Sequence, residues 1–173
     1  LNINVSEIIK KLKLNNINAF TVRAVTLKGK IPTRVNHQLV YGSSKEAQAL
    51  DCSINVSLTN DTIFNPSYKK SFIWGAALKN KDYKSKIGFC FKKNDGEKKL
   101  VEIDFYNESG KICSKKFVLN PSESNIIDLE QLDKKDEEIQ YVWYVAKSER
   151  PDLNAYSVHK NIKTFNSSGE HNF

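Results

Sequence analysis

From Phe20 to His159 the chain keeps returning to one pattern: a short run in which apolar and polar side chains alternate, then a cluster of Asn, Asp, Gly, Ser or Pro. A period of two belongs to a β-strand, whose successive side chains point to opposite faces. Ile54, Val56 and Leu58 alternate with Asn55 and Ser57, and Val35, His37, Leu39 and Tyr41 alternate with Arg34, Asn36, Gln38 and Val40. Further runs are expected at 20–25, 71–78, 86–92, 100–106, 111–119, 125–129, 140–146 and 153–159. Short strands at regular spacing with turn residues between them predict an all-β, antiparallel sandwich of immunoglobulin-like or jelly-roll type.

Two segments depart from that period. Residues 6–14 place Ile8, Ile9 and Leu12 on one face and Lys10, Lys11 and Lys13 on the other, which predicts a short N-terminal helix with Ser6 as its N-cap. Residues 129–136 read as a short helical or turn segment. The expected organisation is one domain over 1–173, with a helical segment at 1–16 and the sandwich at 19–173. No stretch approaches 18 consecutive apolar residues, which excludes a spanning helix.

Within the sandwich, 86–92, 100–106 and 111–119 are expected to form a meander through the turns Asn94-Asp95-Gly96 and Asn107-Glu108-Ser109-Gly110. The stretch from Tyr106 through Gly110 to Ile112, followed by Phe117-Val118-Leu119-Asn120-Pro121, resembles hairpins of bacterial immunoglobulin-like accessory domains. That resemblance implies a fold and no activity. Gln140–Ala146 is the most apolar run and is expected at the centre of a sheet. Val142 and Tyr144 share one face there, Trp143 and Val145 the other, with Trp143 expected in the core.

The formal net charge of +7 invites a nucleic-acid partner, but only Arg23, Arg34 and Arg150 are arginines, and the lysines are dispersed along the chain. Arginine is the residue of bidentate phosphate and base contacts, so no nucleic-acid partner is expected. Cys52, Cys90 and Cys113 have no C-x-x-C spacing, which excludes a zinc ribbon and a dithiol redox pair. Phosphate loops, nucleophile elbows and H-E-x-x-H motifs are missing from the sequence.

The candidate site residues are Arg34, Asn36, His37, Gln38 and Tyr41 on one polar strand, and Tyr156, His159, Glu170 and His171 near the C-terminus. The tail 168–173 is expected to be ordered and to pack beside the strands that carry His37 and His159. Two chemistries are compatible with this set. Planar polar groups with Trp74, Trp143, Tyr41, Tyr144 and Tyr156 suit a carbohydrate or another small polar ligand. The three histidines, His37, His159 and His171, together with a carboxylate, suit a divalent metal such as zinc and a metal-dependent enzyme. The sequence therefore predicts a non-catalytic, cofactor-free binding or accessory domain with carbohydrate as its ligand. The alternatives are the metal enzyme and a structural or protein-interaction module.

Overall fold

The computed structural model describes residues 3–15, 38–41, 52–55, 70–92, 96–132, 141–165 and 167–172, with backbone alone at 38–41, 52–55, 171 and 172. The one α-helix among them, α1 (Val5–Lys11), is capped two residues before the expected position, Ser6. Asn4 is the cap. Its side-chain oxygen accepts the Glu7 N–H at 3.3 Å and its amide donates to the Glu7 carboxylate at 3.0 Å. That reciprocal pair needs an acid three residues after the cap, and three residues after Ser6 stands Ile9. No helix among the described residues is long and apolar enough to cross a membrane.

The strands are β1 (Gln38–Tyr41), β2 (Cys52–Asn55), β3 (Ser71–Leu78), β4 (Tyr83–Phe91), β5 (Lys99–Asn107), β6 (Gly110–Leu119), β7 (Ser124–Asp128), β8 (Tyr141–Ser148), β9 (Leu153–Asn161) and β10 (Ser167–Asn172). β1 and β2 form a two-stranded sheet. The sandwich has two four-stranded antiparallel sheets, ordered β3-β8-β5-β6 and β10-β9-β4-β7. Pairing is nested: β5 with β6, β4 with β7, β3 with β8. Three concentric pairs folded over into two sheets are the jelly-roll form of the expected sandwich. The C-terminal tail is ordered as β10, which pairs along β9 with Ser168 opposite His159. The strand expected at 20–25 lies outside the described residues.

One expected connection is not formed. β4 leads not into a meander with β5 but into the opposite sheet, where it pairs with β9 and β7. The reason is packing. Ile87, Phe89 and Phe91 of β4 and Val101, Ile103 and Phe105 of β5 are all buried, and the two sets line the core from opposite sheets. Arg150 holds that crossing in place. Its guanidinium makes two bonds to Asp152, at 2.8 and 2.7 Å, and donates to the Glu97 carbonyl at 3.1 Å. It also covers the Phe91 ring at 4.3 Å. Gly96 has φ +91, and a Cβ there would sit 3.0 Å from Arg150 Nη1, so this approach requires glycine.

β8 is central in its sheet, between β3 and β5. Its faces divide as the alternation predicts: Val142, Tyr144 and Ala146 are buried, while Tyr141 and Trp143 point outward. The expectation that Trp143 belongs to the core is overturned, because Tyr144 occupies that side. Tyr144 is 1% exposed and meets Phe89 of the other sheet edge-on at 5.7 Å.

Asp152 and the Arg150 guanidinium are nearly closed to water, so removing one partner strands a buried charge. Arg150→Ala is expected to lower the unfolding free energy by about 3–5 kcal/mol in urea melts. A loss below about 1 kcal/mol would show that the pair is not what holds the β4–β5 crossing.

Candidate functional site

The sheet divides the residues that the sequence singled out. Arg34, Asn36 and His37 lie outside the described residues, and Gln38 and Tyr41 are placed as backbone on β1. β1 pairs with β2 in the register Tyr41 opposite Cys52, and β2 runs beside β10. On β9, Tyr156 and His159 are three residues apart and so occupy opposite faces. In the register of β10 on β9, Glu170 stands opposite Ser157, on the His159 face, and the His171 backbone is placed opposite Tyr156.

Each half has its own chemistry. His159 is buried on the inner face, with Nδ1 2.9 Å from the Oγ of Ser85, its cross-strand partner. Burial lowers its pKa from the ordinary 6.5, and the Glu170 carboxylate acts in the opposite sense. On the outer face the Asn154 amide donates to Tyr156 Oη at 2.7 Å. Among the described residues no group of three His, Cys, Asp or Glu side chains is arranged to hold a metal. Burial pushes the Cys90 thiol up, with Asp152 adding to the shift, which disfavours the thiolate that a nucleophile needs.

A second cluster lies on the outward face of the β3-β8-β5-β6 sheet. Phe72 and Trp74 on β3 are 64% and 65% exposed, and Tyr141 and Trp143 on β8 are 56% and 44% exposed. Trp74 stands opposite Val145 and Trp143 opposite Ala76, so the two tryptophans are diagonal neighbours separated by smaller side chains. Diagonal positions of this kind are about 7–8 Å apart. Both tryptophans of the protein thus sit in water on one sheet face.

The adjoining half of that face is charged. β5 presents Glu102, Asp104 and Tyr106 opposite Lys147, Val145 and Trp143. Glu102 is bonded to Lys116 of β6, and Asp104 accepts from Lys111 and from Ser114, each at 2.7 Å. The Lys111 and Ser114 bonds hold the Asp104 carboxyl below its ordinary range, so it stays ionised. Lys147 Nζ lies 5.9 Å from the Phe72 ring centre.

Sequence reasoning placed Trp74 and Trp143 among possible ring-stacking residues but did not join them into one face. The obstacle is local. In Phe72-Ile73-Trp74-Gly75-Ala76-Ala77-Leu78 both parities are apolar, so periodicity alone does not say which one faces the core.

No protein-family profile matches the chain, and no curated protein sequence matches it. Among solved structures, the crystal structure of Thermotoga maritima 1070 is similar at 15% identity, covering 61% of this chain and 92% of that one, with a TM-score of 0.48.

The His159 environment makes a prediction about pH. A histidine whose folded pKa is lowered contributes stability that is complete above its unfolded value, near 6.5, and is lost as pH falls from there through the folded value. Urea melts from about pH 8 down to about pH 5 are expected to show a decline in stability that is shallower in His159→Gln. Parallel curves for the two proteins would show that His159 is not the group responsible.

Proposed function

We propose that the protein is a non-catalytic binding domain that takes carbohydrate on the outward face of β3 and β8. The observation that carries this reading is the exposure of Trp74 and Trp143 side by side on one sheet face. Folding offers no reason for it, because the same strands already bury Ile73, Ala77, Val142, Tyr144 and Ala146 on the other side. Exposed apolar clusters of this kind mark interaction surfaces.

The chemistry of the cluster favours sugars. A pyranose ring presents a C–H face that packs on an aromatic ring, and its hydroxyls need planar or charged partners at the rim. Asp104, held ionised, and Lys147 stand next to the rings and supply both an acceptor and a donor. The polar strand at 33–41 and the tail, which the sequence favoured as the site, are not needed for this reading.

The test is retention on a panel of polysaccharides, including cellulose, mannan, xylan and chitin, followed by titration with Trp fluorescence as the readout. Wild type is expected to be retained by at least one. Trp74→Ala and Trp143→Ala are each expected to weaken that binding by about tenfold or more, while changing stability by only about 0.5 kcal/mol. Undiminished binding in both variants would remove the face from the site. Retention by no polysaccharide in the panel would overturn the carbohydrate reading and favour a protein partner on the same rings.

A further inference from the structure

We infer that the ligand of this face is the interior of a linear, equatorially linked pyranose chain lying along β3 and β8, an inference that rests on the carbohydrate reading above. The four aromatic positions of this face form a stepped row that runs along the strands. The register places Phe72 opposite Lys147, Trp74 opposite Val145, Ala76 opposite Trp143 and Leu78 opposite Tyr141. Moving along the sheet in two-residue steps, the aromatic side chains therefore come in the order Phe72, Trp74, Trp143, Tyr141.

Each step covers about 7 Å along the strands, and the whole line spans about 20 Å. It shifts sideways once, between Trp74 and Trp143, by one inter-strand spacing of about 5 Å. Ala76 and Val145 fill the off-line positions with small side chains, so the rings stand clear of one another along the track.

An extended row of rings with a single sideways step selects among carbohydrate shapes. When both glycosidic bonds leave a pyranose equatorially, as in β-1,4-linked glucose, mannose or N-acetylglucosamine, successive rings extend as a ribbon. The ribbon keeps presenting ring faces to one side. Axial linkages, as in α-1,4-linked glucose, coil the chain and lift its rings off an extended track. The row also lies on an exposed face, with Phe72 and Tyr141 at its ends each more than half exposed. Such a track accepts the middle of a chain, whereas capture of a chain end or a single sugar needs an enclosing pocket. Glu102, Asp104 and Lys147 run beside the row and meet the ribbon's edge, where its hydroxyls project.

The experiment is calorimetric titration with dimers, tetramers and hexamers of β-1,4-linked glucose, mannose and N-acetylglucosamine, and with the matching α-1,4-linked glucose series. In the responding β-linked series, affinity is expected to rise about tenfold or more from dimer to tetramer and little further to hexamer. Phe72→Ala and Tyr141→Ala are expected to weaken the hexamer several-fold and leave the dimer unchanged, because a dimer covers only the central tryptophan pair. Equal affinity for dimer and hexamer would overturn the track, as would an α-linked series binding as tightly as the β-linked ones. Retention of some polysaccharide in the panel with no response to any β-1,4 oligomer would overturn the linkage assignment while leaving the carbohydrate reading standing. Failure of every polysaccharide would overturn both.

Discussion

Tyr144 sets the phase of β8, and the outward face of its sheet depends on that phase. Its ring meets Phe89 across the sandwich at 5.7 Å and Phe105 on the neighbouring strand at 6.1 Å, with almost no exposure to water. A strand alternates strictly, so seating Tyr144 inside sends Tyr141 and Trp143 outside. A slip of one residue would exchange the two faces, and the pairing of β8 with both β3 and β5 prevents it. The same three-ring contact joins the sheets, since Phe89 comes from β4 and the other two rings from β8 and β5. The nested pairs of β5 with β6, β4 with β7 and β3 with β8 then bring the buried residues of every strand to one core.

The outward face beside that core has two characters with different physical standing. Between β5 and β6, Glu102, Asp104, Lys111 and Lys116 form exposed ion pairs, each worth only about 0–1 kcal/mol to stability. They keep an edge strand charged and soluble. Between β3 and β8 the side chains are aromatic and largely exposed. Phe72 and Trp74 are more than half exposed, so their removal is expected to cost less stability than removal of the buried Tyr144.

The crossing from β4 to β5 depends on a different interaction. Arg150, two residues beyond β8, is bonded to Asp152 just before β9 and to the Glu97 carbonyl before β5, and it stacks on Phe91 at the end of β4. One guanidinium therefore ties together four strand ends. Ser71, at the start of β3, adds a fifth: its hydroxyl accepts the Leu153 N–H at 3.1 Å and donates to the Arg150 carbonyl. These contacts secure the end of the sandwich away from the Ser85–His159 pair, which sits where β4 and β9 begin and end.

The sequence by itself determined the class of fold, because alternation and turn residues are local properties that survive without any partner. Strands β3 to β9, the Asn107–Gly110 turn and the two faces of β8 could all be read from spacing. It did not determine which strands pair. β4 and β5 look like neighbours in a meander, and only the closed sandwich places Phe89 and Phe105 on opposite sheets. Nor could it set Glu170 opposite Ser157, beside His159, since the register of β10 on β9 is a long-range fact. The aromatic face was hidden for the same reason. Phe72, Ile73, Trp74 and the residues around Trp143 are apolar on both parities, so their sequence is compatible with either side facing inward. Tertiary packing chose, by filling the core with Ile73, Ala77, Val142 and Tyr144 and leaving both tryptophans in water.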